Sequence, residues 1–348
     1  MSIVVKAWGA TAADAELAPL EIERRALRPD DVAIRIDYCG VCHSDLHACR
    51  NDWGTARYPL VPGHEIVGTV TGVGSGVRRH AVGDVVAVGT FVDSCGACRN
   101  CEADQQEYCL KGATGTYNAT DKVDGSVTMG GYATDIVVTE RFVLKMPDAL
   151  DARRAGPLLC AGITMWSPLR HWKVGAGTRL GVVGIGGLGH MAVKLGAALG
   201  AEVTVFTRSP DKASEATALG AAHVVVSTDR GQIKAARGTL DIIIDSVPVA
   251  HDLHPYLDAL ATDGTLVIVG AIAPLEFHGA RLIMGRKSIA GSLTGGLADT
   301  QELLEFCAAH QIYPEVEMVE MRDINAAWAR MEAGDVRYRF VVDMESLR

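Results

Sequence analysis

The sequence predicts an α/β protein of two domains, a β-rich domain made from both ends of the chain and a doubly wound parallel sheet set between them. Three observations carry this. The 348 residues exceed the roughly 250–300 at which a single core stops growing. The first 150 residues are short alternating β segments broken by Gly, Pro and Asp, whereas from Ala152 apolar strands alternate with helix-length segments, as in βαβ units. After about Gly285 that alternation stops, and the tail returns to mixed helix and strand, ending in Phe340-Val341-Val342. The expected division is 1–150 with 287–348 for the β-rich domain and 151–286 for the parallel sheet.

Segments 32–38, 66–73, 84–88 and 133–138 read as the first domain's strands. Segments 179–183, 202–206, 223–226, 242–244 and 265–269 read as those of the parallel sheet. Hydrophobic residues at 48% supply substantial cores, and a formal net charge of −9 leaves no basic footprint for nucleic acid or an anionic membrane. The opening residues lack a basic segment followed by an apolar one. The apolar stretch from Leu180 to Ala201 is cut by seven glycines, a His and a Lys, so it reads as buried strand and helix, not a membrane span. A cytoplasmic location is the expectation.

Strand 179–183 runs into Gly184-Ile185-Gly186-Gly187-Leu188-Gly189, then a helical stretch to Leu199 closed by Gly200. The G-x-G-x-x-G pattern is weak alone in a chain with 38 glycines, but between strand and helix it has the context of a dinucleotide site. Gly184 allows the tight turn, Gly186 lets a pyrophosphate reach the backbone, and Gly189 lets helix pack on strand at an N-terminus rich in free N–H groups. A βα turn without ligand is the alternative. At the end of the second strand an NAD site places Asp or Glu; here stand Thr207-Arg208-Ser209, with Lys212 beyond. A carboxylate would repel a 2′-phosphate and a guanidinium binds one, so the pattern points to NADP, against a solvated Arg with no ligand.

Cys95, Cys98, Cys101 and Cys109 supply four thiolates, the set a closed structural zinc site requires. An iron–sulfur cluster also takes four, but here the fourth comes seven residues on with no Pro after it. Cys42, His64 and Cys160 are dispersed; two thiolates and an imidazole match the open Cys2His composition of a catalytic zinc, although spacing alone cannot bring them together.

Together these residues resemble the zinc-containing alcohol dehydrogenases of the medium-chain dehydrogenase/reductase superfamily, specifically the cinnamyl alcohol dehydrogenase-like branch with its NADPH-dependent aldehyde reductases. The resemblance covers essentially the whole chain. It rests on Gly40-Val41-Cys42-His43-Ser44-Asp45-Leu46-His47, Tyr58-Pro59-Leu60-Val61-Pro62-Gly63-His64-Glu65, Gly130-Gly131-Tyr132, Pro157-Leu158-Leu159-Cys160-Ala161-Gly162-Ile163-Thr164 and Asp335-Val336-Arg337-Tyr338-Arg339-Phe340-Val341. It implies a GroES-like catalytic domain and a Rossmann cofactor domain. It also implies two zinc ions per chain, a catalytic one on Cys42, His64 and Cys160 and a structural one on the four clustered cysteines.

Further roles follow from the resemblance. Glu65 lies behind the metal and can replace solvent as a ligand, and Asp45 orients an imidazole ligand. Ser44 hydrogen-bonds the substrate oxygen, and His47 is the outer member of a proton relay, supported by Asp52. His43 and Arg339 face the cofactor pyrophosphate, Thr164 lies at the cofactor, and Trp53 is on the pocket wall. Taken singly, Ser44 also reads as a helix N-cap and Asp45 as a helix-start acid. The plant lignin enzymes carry a bulky aromatic where this chain has Gly115, two residues before Tyr117-Asn118, which argues against strict specificity for cinnamyl alcohols. The expected reaction interconverts primary alcohols and aldehydes with NADP(H), in a homo-oligomer (dimer or tetramer). A polyol dehydrogenase of the same superfamily and a non-catalytic zinc or iron–sulfur protein are the rivals; Cys160 and Arg208 argue against the first.

Overall fold

The computed structural model describes residues 2–270 and 274–348. They form two compact units, 1–160 with 295–348, and 161–294.

The first unit is organised by strand Asp31–Val41, whose alternating Val32, Ile34 and Ile36 are fully buried, the period-2 pattern of a strand with one face in a core. It pairs antiparallel with Ile66–Val73, with Asp135–Thr139 and with Arg339–Asp343. Val316–Glu320 lies outside Arg339–Asp343, and Val85–Val88 and Leu144–Lys145 continue beyond Ile66–Val73. Ile34, Ile36, Ile66, Tyr132, Phe142, Trp328 and Phe340 fill one cluster. Each such side chain contributes about 1.5–3 kcal/mol, and Ile36→Ala would cost about 2–5 kcal/mol through the cavity left behind. A hairpin of Ile3–Gly9 and Ala18–Arg24, registered from Ile3 opposite Arg24 to Gly9 opposite Ala18, completes this unit's main pairings.

The second unit is an all-parallel sheet in the order His223–Val226, Glu202–Thr207, Arg179–Val183, Leu240–Asp245, Leu260–Ile268, Ser288–Gly291. Its strands are apolar runs, with Val203, Val205, Ile243, Ile244, Leu266 and Val267 fully buried, because helices cover both faces of such a sheet. Chain order reverses between Arg179–Val183 and Leu240–Asp245, and ligands bind beyond the carboxyl ends of strands at such a switch.

Both expected boundaries move. Ser288–Gly291 is a sixth parallel strand, so the sheet extends past 286; its Ser-Ile-Ala-Gly sequence is too short and too weakly apolar to read as a strand. The segments Ala152–Ala155 and Gly156–Leu159 pack on the sheet of the first unit. Gly156 sits so close to the Glu65 carbonyl that an added Cβ would come within 2.9 Å, which ties this stretch to the first unit up to Cys160.

Candidate active site

Strand Asp31–Val41 delivers the chain to Cys42, an extended residue that caps helix His43–Cys49. Asp45, fully buried, starts this helix, its Oδ2 accepting the Cys42 N–H at 3.0 Å, a favourable place for negative charge. Its Oδ1 accepts the Gly63 N–H at 3.0 Å and lies 2.9 Å from His64 Nδ1. That contact places the imidazole proton on Nδ1 and leaves the Nε2 lone pair for a cation. Asp45 is therefore both helix-start acid and orienter of His64.

Cys42, His64, Glu65 and Cys160 each present one ligand atom, all within 4.8 Å of one another and all from buried residues; the two Sγ atoms are 3.8 Å apart. The thiol–thiol hydrogen bond drives Cys42 well down and Cys160 well up. Burial works against the imidazolium of His64, but the Asp45 carboxylate and the Cys42 thiolate outweigh it and raise its pKa. Burial lifts Glu65 to about 7 against the pull of Arg339. Glu65 Oε2 has no hydrogen-bond partner and fills the space a side chain at Gly40 would take. Two thiols, an imidazole and a carboxylate with a spare oxygen, all withdrawn from water, fit a tetrahedral zinc with one exchangeable position.

Arg339 is only 5% exposed, with Nη2 on Glu65 Oε1. A carboxylate buried this deeply requires a counter-charge, and Arg339 supplies it. Ser44 and His47 lie one turn apart on helix His43–Cys49, hence on one face. Ser44 is not the N-cap, since Cys42 holds that position. His47 Nδ1 is 2.7 Å from Asp52 Oδ2, and both side chains reach solvent. His43 and Trp53 are exposed at the same edge, the His47 ring 6.3 Å from His43 and 5.9 Å from Trp53.

The second set is built locally. Cys98 caps the short helix Arg99–Glu102, and the turn Gln106–Tyr108 brings Cys109 back. The four sulfurs lie within 4.8 Å of one another. Backbone N–H groups point at them, Cys95 N to Cys109 Sγ and Leu110 N to Cys98 Sγ, each at 3.4 Å. Such hydrogen bonds to the thiolate push Cys98 down to about 6. All four positions of a tetrahedron are taken by sulfur, as a closed site requires. The lobe docks through Gln106, whose Oε1 accepts the Leu297 N–H at 3.0 Å.

In the second unit the three glycines differ in what holds them. Gly184 has φ +88°, Gly189 meets the Gly184 carbonyl where a Cβ would be, and Gly186 has nothing within 4 Å of an added Cβ. Two are thus required by the turn itself, and Gly186 leaves a cradle open to a ligand. Gly187 and Leu188 lead into helix Gly189–Ala198. Strand Glu202–Thr207 ends in buried Thr207, followed by exposed Arg208 and Ser209. Lys212 reaches back to the Ile185 carbonyl at 3.4 Å, and Thr164 is buried in helix Ala161–His171.

Residues 28–148 match the alcohol dehydrogenase GroES-like domain, and residues 187–309 match the zinc-binding dehydrogenase family. The chain belongs to the zinc-binding alcohol dehydrogenases. Among its relatives, this dehydrogenase is 48% identical to an NADP-dependent alcohol dehydrogenase C of Mycobacterium bovis, over 99% of each chain. It is also 48% identical to an aldehyde reductase of Escherichia coli, again over 99% of each. A cinnamyl alcohol dehydrogenase structure from Sorghum bicolor superposes with a TM-score of 0.96 at 43% identity, covering 99% of both chains. The enzyme falls in the cinnamyl alcohol dehydrogenase-like branch.

Sequence reasoning passed over two features of the dehydrogenase's site. Tyr117 sets its ring 5.7 Å from that of His64; its place beside Asn118 was visible, but not its approach to the metal ligands. Gly40 is needed because Glu65 occupies its side-chain space, and a glycine within a strand pattern was the available signal.

Proposed function

We propose that this dehydrogenase interconverts primary alcohols, aromatic or aliphatic, with their aldehydes, using NADP(H) and a catalytic zinc held by Cys42, His64 and Cys160. A second zinc is held by Cys95, Cys98, Cys101 and Cys109 and serves the fold. The observation that carries the reading is the buried convergence of two thiols, an imidazole held by Asp45 and the Glu65 carboxylate.

When bound, zinc supplies a Lewis acid for the aldehyde oxygen and NADPH supplies the hydride. Ser44 hydrogen-bonds the substrate oxygen and hands it a proton during reduction. His47, held by Asp52 and open to water, restores that proton from solvent, and alcohol oxidation reverses the path. Asp45 keeps His64 in its metal-binding tautomer. Trp53 and Tyr117 supply aromatic wall, and His43 lies at the cofactor side of the helix. The 2′-phosphate falls to Arg208, with Ser209, Thr207 and Lys212 around it.

The physiological assembly in this reading is a homo-oligomer. The outer edge of strand Ser288–Gly291 has no partner strand among the described residues, and Ile283 and Met284 are 81% and 88% exposed nearby in the chain, an edge that a second copy would cover. A cytoplasmic location belongs to this reading, in which Cys39, Cys49 and Cys307, all buried, are the cysteines left over from the two zinc sites; no helix among the described residues is long and apolar enough to cross a membrane.

The test is kcat/KM with NADPH and NADH on one aldehyde. A charge-assisted contact contributes about 1.5–3 kcal/mol, so Arg208→Ala should cost NADPH roughly ten- to a hundredfold and leave NADH nearly unchanged. Equal use of both cofactors by the wild type, or equal losses in the variant, removes Arg208 from phosphate recognition.

A further inference from the structure

Among the described residues of the first unit, two arginines are buried. Arg339 has the Glu65 carboxylate for a partner; Arg24, 7% exposed at the end of strand Ala18–Arg24, has only carbonyls. Its Nε donates to Asp135 O at 2.8 Å, Nη1 to Met129 O at 2.6 Å and Nη2 to Gly130 O at 2.7 Å. Burial of the cation lowers its pKa to about 9, against the pull of the Asp135 charge. Holding a guanidinium out of water on three neutral acceptors is costly, and what it achieves is a fixed geometry for segment 129–135.

That segment lies on the metal-ligand loop. Gly130 N–H donates to Val61 O at 2.7 Å, Gly131 N–H to Gly63 O at 2.8 Å and Tyr132 N–H to Pro62 O at 3.0 Å. The approach leaves no room for side chains, since a Cβ on Gly130 would overlap the Pro62 carbonyl and one on Gly131 would overlap Ile66. From the other side Asp45 takes the Gly63 N–H and His64 Nδ1. Residues 61–64 are therefore held between a carboxylate and a strip of backbone whose far side is clamped by Arg24.

We propose that Arg24 is a positioning residue for the metal ligand His64, acting through segment 129–132. The proposal rests on the reading of Cys42, His64 and Cys160 as the catalytic zinc site. The N-terminal hairpin is then part of the active-site frame: it carries Arg24, and Trp8 N–H in its first strand donates to Tyr132 O at 2.8 Å.

The test uses the folded two-zinc enzyme and follows metal release to a chromogenic chelator in wild type, Arg24→Lys and Arg24→Met. The slow and fast phases are assigned with Cys160→Ser and Cys98→Ser, each of which disables one site. Changes to groups that orient metal ligands cost about 10- to 100-fold in affinity. Release from the dispersed site should accelerate by that order in Arg24→Met, with the four-cysteine phase unchanged. Arg24→Lys should fall between, because an ammonium can reach some of the three carbonyls. Cobalt substituted into the dispersed site should show shifted visible bands in Arg24→Met. An unchanged dispersed phase, or both phases accelerating alike, overturns the proposal. If Arg24→Met fails to fold, the same criteria apply to Arg24→Lys. A wild type with no zinc at the dispersed site would instead sink the function reading itself, an outcome distinguishable from normal zinc retention in the variants.

Discussion

The two cysteine-containing clusters of the first unit are opposite solutions to holding a cation. Cys95, Cys98, Cys101 and Cys109 come from one short stretch, with Cys95 and Cys98 partly exposed, and their charge is balanced by backbone N–H groups. Cys42, His64, Glu65 and Cys160 come from distant parts of the chain, are all buried, and are balanced by other ionisable groups, Asp45 and Arg339. The local cluster offers four equivalent donors and no vacancy. The dispersed one offers unlike donors, one of them a carboxylate with an unpartnered oxygen. A site meant for stability can be written in a few residues, whereas a site meant to exchange a ligand needs a framework to hold its charges apart.

The sharpest way to break this contrast is to remove one ligand from each cluster. Cys160→Ser should lower kcat by on the order of 10³-fold or more, because Lewis-acid assistance amounts to several kcal/mol, with little change in Tm. Cys98→Ser should do the reverse. Loss of about 3 kcal/mol would lower Tm by about 6–12 °C, with steady-state chemistry retained below the transition. If both variants lose activity and stability together, the division of roles fails.

Ser44→Ala probes only the dispersed site and should reduce turnover by about 10²–10³-fold; His47→Ala should cost less, since water can replace the outer member of the relay. Near-normal kcat in Ser44→Ala, with a substrate deuterium isotope effect proving hydride transfer rate-limiting, would remove Ser44 from the mechanism. Asp45→Asn should weaken zinc at the dispersed site by about 10- to 100-fold and leave the other zinc in place, as metal analysis after graded chelation would reveal. Loss of both metals in parallel would mean that Asp45 serves the fold at large.

The smallest effect concerns the metal-free protein. With its pKa depressed to about 6, Cys98 is mostly thiolate at pH 7, and alkylation there should run about tenfold faster than at buried Cys42. The rate should fall as pH is lowered through 6, where the thiolate takes up its proton. Mass-spectrometric mapping of the first labelled cysteine checks both points, and preferential labelling of Cys42 would contradict them.

How far the sequence could be read follows the same contrast. The four-cysteine spacing is local, so its geometry was visible without a fold, as was the glycine turn after strand Arg179–Val183. The junction of Cys42, His64 and Cys160 was reached through family resemblance, because no local pattern brings together residues on a helix start, a loop and the end of a 3-10 turn. The ion pair of Arg339 with Glu65 could not be foreseen for a related reason. An arginine in an apolar strand gives no sign of which carboxylate it will meet, and Glu65 lies far away in the chain. Ser288–Gly291 escaped because edge strands need little hydrophobicity. Arg24 left no trace, since its partners are main-chain carbonyls with no side-chain signature.

Strand Arg339–Asp343 pairs with Phe340 opposite Val41 and Asp343 opposite Tyr38, and this carries a consequence for synthesis. The ribosome releases this inner strand after every other strand of the first unit's sheet. Residues 161–294 can fold while translation continues, at about 5–20 residues per second. Glu65, made early, waits for its countercharge until residue 339 has cleared the exit tunnel. A chain stalled before that point would expose the end of strand Asp31–Val41 and keep Glu65 hydrated. Such nascent chains should be open to proteolysis in the first unit while the second is already resistant.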